Sequence, residues 1–188
     1  MRAPLRASVL AGLALQYGWR SMAELGVLHA ATTEHMLRTC PDLRIVAVDT
    51  WRAGDPALEP GPGVKRRSAE DSGYRAYADV DMEAAYEWAL SLAVRYPRRL
   101  QVMRMDTLSA AEHVPADSLD AVFVDADHRP EAVLADIRAW LPTLRRDGWL
   151  TGHDWDYHGI GALLERVAPT HRRYAGGVWA VPKSGVVV

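Results

Sequence analysis

Four short apolar runs, each closed at or near its end by a carboxylate, constrain the fold of this chain more than any other feature. They are Met22-Ala-Glu-Leu-Gly-Val27, Arg44-Ile-Val-Ala-Val-Asp49, Leu100 to Met105 with Asp106 after it, and Leu119-Asp-Ala-Val-Phe-Val124 with Asp125 after it. The second is apolar at almost every position, as a strand is when helices cover both faces of its sheet. Between the runs, apolar residues return at helical spacing. Residues 31–39 do so with Met36 and Leu37 inward, 81–96 with Met82, Ala85, Tyr86, Ala89, Leu92 and Ala93, and 130–141 with Val133, Leu134, Ile137, Trp140 and Leu141. A short helix is expected near 108–113. Asp147-Gly148 reads as a turn into a fifth strand, 149–152. A helix over 160–167 and two strands near 171–174 and 177–181 close the chain. Strand and helix alternating in this way imply an α/β fold built on a mostly parallel sheet with right-handed crossovers.

The chain has 188 residues, the length of one domain, and residues 1–188 read as a single unit. Within 1–20, Leu5, Val9, Leu13 and Gln16 keep helical spacing. Arg2, Arg6 and the apolar residues up to Leu15 resemble a leader in composition. However, Gln16-Tyr17-Gly18-Trp19 stand where a small-x-small cleavage site belongs, so a packed N-terminal helix is expected. Residues 52–80, punctuated by Gly54, Pro56, Pro60, Pro62 and Gly63 and followed by Lys65-Arg66-Arg67, read as a lid or substrate loop.

A formal charge of -2 offers no polyanion surface, and the paired arginines are scattered and offset by nearby acids, so no nucleic-acid partner is expected. No apolar run is long enough for a bilayer, so neither is a membrane. Cys40, the sole cysteine, fits a reducing cytoplasm.

In open α/β sheets, ligands bind beyond the carboxyl ends of the strands. Glu24, Asp49, Asp106 and Asp125 lie there and form an acidic rim. Each alone serves equally well as a turn former or helix cap. A dinucleotide needs a glycine-rich turn so that bare backbone can approach its pyrophosphate. Here Gly26 stands without the others, which disfavours a nicotinamide oxidoreductase. A nucleoside carrying a sulfonium and an ammonium needs carboxylates instead. Asp49 follows Gly26 at about the spacing of a ribose-binding acid, roughly 20 residues.

Three stretches carry a family likeness: Ala23-Glu-Leu-Gly-Val-Leu-His-Ala-Ala-Thr32, Val46-Ala-Val-Asp-Thr-Trp51, and Leu119-Asp-Ala-Val-Phe-Val-Asp-Ala-Asp-His128 with Gly148-Trp-Leu-Thr-Gly-His-Asp154 downstream. With them the chain resembles the class I S-adenosylmethionine-dependent methyltransferases, and among these the small bacterial metal-dependent O-methyltransferases. The resemblance implies a Rossmann-like fold with seven strands and helices on both faces. It also implies that Glu24 and Gly26 approach the methionine part of S-adenosylmethionine with Thr32 nearby, and that Asp49 holds the ribose. Trp51 would flank the adenine, Asp106 and Thr107 would read its edge, and Asp125 and Ala126 would border the methyl donor. In such relatives a carboxylate after strand four and another after strand five bind a divalent cation. Asp125 and Asp154 take those places, and Mg²⁺ suits hard oxygen ligands. Ala30 replaces the family's second glycine.

Methyl transfer is an in-line displacement, so the protein has to position an acceptor and, if it is a hydroxyl, deprotonate it. His128, His153 and Asp125 are the candidates for catalysis, with His158 behind them. His153 can serve as a base or as a softer metal ligand, and Asp156 can complete a metal shell. Asp125-Ala-Asp-His128 stands where a nucleic-acid amino-methyltransferase carries Asn/Asp-Pro-Pro-aromatic, which favours an oxygen acceptor. Tyr74, Tyr77, Trp155 and Tyr157 can wall a small-molecule acceptor. A homodimer is compatible with so short a chain. A cofactor-binding sensor or subunit without turnover is the other reading.

Overall fold

The computed structural model describes residues 4–52, 80–157 and 159–188. The loop expected over 52–80, with Tyr74 and Tyr77, lies outside them except for Arg52 and Val80, and so does His158. The elements run α1 Leu5–Tyr17, β1 Ser21–Leu25, α2 Ala31–Thr39, β2 Arg44–Asp49, α3 Met82–Arg95, β3 Leu100–Arg104 and α4 Thr107–Ala111. They continue with β4 Leu119–Val124, α5 Pro130–Trp140, β5 Leu144–Gly152, α6 Ile160–Val167, β6 Arg172–Arg173 and β7 Trp179–Pro182. The sheet has seven strands in the order β3-β2-β1-β4-β5-β7-β6. All neighbours pair in parallel except β7, which is antiparallel to β5 and to β6.

Strand alternation divides the core into two layers. Ile45, Ala47, Ala121 and Phe123 face a cluster with residues of α1, α2 and α3. Val48, Val122 and Val124 face the other cluster, with residues of α4, α5 and α6. The N-terminal helix packs through Ala7, Leu10, Ala11, Leu13 and Ala14 and ends on left-handed Gly18. Asp81 caps α3 and Asp106 caps α4, each accepting from a backbone N–H three residues on. Among the described residues, no helix is long and apolar enough to cross a membrane.

Several boundaries shift from the sequence reading, two of them for a clear structural reason. The first strand stops at Leu25 rather than Val27, because Gly26 turns at φ +85°. The fifth strand begins at Leu144 rather than 149. Leu119 faces Leu144 but Ala121 already faces Trp149, so Asp147-Gly148 forms part of a bulge inside the strand rather than the turn before it. Asp120, opposite that bulge, accepts from the backbone N–H of Arg20 and Ser21 and from the Ser21 hydroxyl, and pairs with Arg145. This ties the start of β1 to β4 and β5. Asp120→Ala leaves those N–H groups without their acceptor. It should lower stability by about 2 kcal/mol, measured by urea unfolding, and a change under about 0.5 kcal/mol would show that water replaces the carboxylate.

The chain turns one way from β1 through β2 to β3 and the other way from β4 to β5. The carboxyl ends of β1 and β4 therefore meet at the point where the direction of winding reverses, the place where open α/β sheets bind ligands.

Candidate active site

At that switch point the end of β1 is hydrogen-bonded to β4 on one side and to β2 on the other. Asp125 N–H donates to Leu25 O at 2.8 Å and Gly26 N–H donates to Val48 O at 2.9 Å. A Cβ on Gly26 would lie 2.2 Å from Asp125 O and 2.7 Å from Ala126 Cα, so only glycine fits there. Beyond it the turn is strained at residues other than glycine. Leu28 (φ 45°), Ala30 (φ 53°) and Trp51 (φ 44°) are left-handed, and so is Asp154 (φ 59°) after β5. Such strain collects where a binding surface dictates backbone shape. Ala30, in the place of the family's second glycine, adopts the glycine-like conformation while wholly buried.

Asp49 ends β2 and holds this turn. Its Oδ2 accepts from Val27 N–H and Leu28 N–H, both at 2.8 Å, and its Oδ1 accepts from Trp51 N–H at 2.8 Å. A carboxylate has about four acceptor positions, and among the described residues these three N–H groups occupy three of them. Trp51, expected to flank an adenine, is 1% exposed. Its indole N–H donates to Leu28 O and its ring tilts against Tyr86, so the ring props the turn from inside.

Glu24 is buried beneath the turn and accepts from the Thr33 hydroxyl at 2.5 Å. Burial pushes its carboxyl up to about 8 against the pull of that bond, and the charges of Asp125 and Asp49 push the same way. The acidic rim is therefore physical for these three groups. Asp106 is apart from them. Its carboxylate caps α4, and the Ser109 backbone bond holds it below the usual range. Thr32 is buried beside Thr33. Thr107 donates its hydroxyl to Asp136 Oδ1 at 2.5 Å and accepts at its carbonyl from the Trp140 indole, so α5 pins the loop after β3. Burial pushes Asp136 up to about 6.

Asp125, His128 and Asp154 converge at the ends of β4 and β5, each offering a ligand atom within 4.8 Å of the others. Burial pushes Asp125 up to about 6, opposed by Arg6, His153 and His128. His128 Nε2 lies 3.5 Å from Asp154 Oδ2, and its ring meets Tyr157 edge-on. His153 is placed differently. Its Nε2 is 2.7 Å from Gly176 O, and its Nδ1 is 2.8 Å from Asp154 Oδ1 and 3.4 Å from Asp125 Oδ1. Carbonyls and carboxylates only accept, so both nitrogens carry protons. Burial opposes that charge, but the Asp154 bond and the two carboxylates outweigh it and raise the His153 pKa. Asp156 is exposed and stands outside the cluster. Trp155 lies under the Arg173 guanidinium.

The methyltransferase-domain family matches residues 23–155, which include the glycine turn, Asp49, the Asp125–His128 segment and Asp154. The chain belongs to that family. Among solved structures, this methyltransferase domain resembles a candidate caffeoyl-CoA O-methyltransferase from Staphylococcus aureus, at 13% identity and TM-score 0.63, covering 97% of this chain and 84% of that one. It resembles a methyltransferase from Geobacter sulfurreducens at 14% identity and TM-score 0.63, covering 97% and 80%. A candidate O-methyltransferase from Klebsiella pneumoniae follows at 15% identity and TM-score 0.60, covering 97% and 81%. No curated protein matches the sequence. At these identities the likenesses establish the fold, the class I methyltransferase fold expected from the sequence. A methyltransferase domain of this fold implies S-adenosylmethionine as methyl donor, which leaves the nicotinamide reading without support.

Sequence reasoning missed Thr33, Asp136 and Arg6. Thr33 carried a weak signal, a hydroxyl in the first turn of the helix after the motif. Asp136 sits among apolar residues on the inner face of α5, and a carboxylate there was a sign of a buried partner. Arg6, whose Nε is 3.3 Å from Asp125 Oδ2, carried none.

Proposed function

We propose that this methyltransferase methylates the oxygen of a small hydroxylated metabolite with the help of a divalent cation. One observation carries the reading: Asp125, His128 and Asp154 meet at one point beside the cofactor turn. The two carboxylates are hard oxygen donors that suit Mg²⁺ or Mn²⁺, and the imidazole beside them is placed to serve as a base. The O-methyltransferase names borne by structures of the same fold agree with it.

Glu24 and the Gly26 turn receive the methionine part, Asp49 offers its remaining acceptor position to the ribose, and Asp106 and Thr107 border the adenine. Asp125 and Ala126 flank the methyl donor, and Asp125 and Asp154 hold the cation. A cation there lowers the pKa of an acceptor hydroxyl. His128, part-exposed and oriented by Asp154, takes the proton. His153 stays protonated and fixes Asp154. Trp155 and Tyr157 stand on the acceptor side. The second reading, a cofactor-binding sensor, keeps the first half of this arrangement and lacks the second.

Product formation on a panel of catechols, sugars and phenols, with and without EDTA, tests the proposal. Turnover that EDTA abolishes and Mg²⁺ restores is expected. His128→Ala should reduce kcat about 100-fold or more while Mn²⁺ affinity persists. Loss of Mn²⁺ affinity in that variant would make His128 a ligand instead. Binding of S-adenosylhomocysteine with no turnover on any acceptor would favour the sensor.

A further inference from the structure

The Asp125 carboxylate at the end of β4 already faces basic side chains supplied by the chain itself. Asp125 Oδ1 faces His153 Nδ1, and Asp125 Oδ2 faces the Nε of Arg6, in the first turn of the N-terminal helix, at 3.3 Å. That Nε is buried and makes no hydrogen bond among the described residues, so the carboxylate charge is what it answers to. The turn at 175–177 completes the arrangement. Gly176 and Gly177 are both left-handed; a Cβ on Gly176 would lie 3.1 Å from Arg6 N, and one on Gly177 would lie 3.1 Å from His153 Nε2. The two glycines let one turn press against α1 on one side and against His153 on the other. Gly176 O also receives the His153 N–H. The first turn of α1, the glycine turn and His153 thus form one packed unit over Asp125 and Asp154.

We propose that Arg6 is a resident counter-cation of Asp125, and that the first turns of α1 act as a latch that a divalent cation must displace. The proposal rests on the cation site assigned above. Asp125 Oδ2 faces the permanently charged guanidinium of Arg6. A doubly charged ion bound there would therefore lie within a few ångströms of the guanidinium, in surroundings where charges are poorly screened. His153 is fixed by Gly176 and Asp154, whereas Arg6 has a long side chain that is a third exposed (32%), so Arg6 is the group that yields. Ion binding and docking of the helix start then oppose one another, and by linkage each weakens the other equally.

The test uses the full chain and Mn²⁺ alone, without cofactor or acceptor. Calorimetry should show that Arg6→Gln binds Mn²⁺ about tenfold more tightly than wild type, the size of an ordinary coupling between sites. Arg6→Lys, which keeps the charge, should stay within about twofold of wild type. In the wild type, Mn²⁺ should speed amide exchange from Val9 to Leu13, whose bonds report the first turns of α1. Equal or weaker Mn²⁺ binding by Arg6→Gln, an Arg6→Lys affinity matching that of Arg6→Gln, or unchanged exchange would overturn the latch and leave the cation site standing. Absence of Mn²⁺ binding to the wild type would overturn the cation site and the latch with it.

Discussion

Gly26→Ala should cost about 3 kcal/mol of stability and abolish binding of S-adenosylhomocysteine. Two effects add. The residue sits at φ +85°, where a Cβ costs about 1–2 kcal/mol. The same Cβ would lie 2.2 Å from Asp125 O and 2.6 Å from Asp125 C, atoms of a central strand end that cannot swing aside as a side-chain tip can. Moving backbone in a packed region costs about 1–3 kcal/mol more. For a domain of this size the melting temperature should fall by about 10 °C. The movement needed would separate β1 from β4 at the switch point and displace Val27 and Leu28 from Asp49, so binding is lost for a geometric reason. A variant that melts within about 2 °C of wild type and still binds S-adenosylhomocysteine would mean that the β1–β4 junction is slack.

Glu24→Gln should make the protein without cofactor more stable in alkali and remove the pH dependence of its affinity for S-adenosylmethionine. The Glu24 carboxyl is buried and its pKa is pushed up to about 8 from 4.5. A group whose pKa is raised on folding contributes stability that is fully present below the unfolded value and is lost as pH rises through the folded one. For Glu24 that window runs from about 4.5 to about 8, and the loss across it is of the order of a few kcal/mol. Glutamine keeps an acceptor for the Thr33 hydroxyl and cannot ionise. Asp125 and Asp136, both raised to about 6, weaken the fold in the same direction at lower pH. The measurement is therefore the difference in melting temperature between variant and wild type, which should grow in the variant's favour from pH 6 to pH 9. A cationic ligand favours the ionised carboxylate. Wild-type affinity should accordingly rise by up to tenfold per pH unit below about 8, and flatten in the variant. A flat profile in the wild type would place the ligand's positive charge away from Glu24.

Much of this architecture was legible because its signals are local. The β2 and β4 runs and the helices at 31–39 and 160–167 lie where hydropathy places them, since burial on one or both faces leaves a period in the residues themselves. The strand-end acids were legible for a topological reason: parallel strands joined by right-handed crossovers bring all their carboxyl ends to one edge. The bulge in β5 was not legible, because Asp147-Gly148 has the same chemistry in a bulge as in a turn, and the pairing of Leu144 with Leu119 and of Trp149 with Ala121 is what decides between them.

The sequence by itself determined the layers, the sheet edge on which the strand-end acids gather and the residue types there, because backbone preference and burial act within a few neighbouring residues. Only the tertiary structure decided what each of those residues does. Asp49 spends most of its acceptors on the turn, Asp106 caps a helix and Trp51 faces inward, while His153 is locked between Gly176 and Asp154. Arg6 reaches Asp125 from the far end of the chain. Hydrogen bonds and charge pairs depend on ångström distances between segments remote in sequence, and no local pattern records those distances.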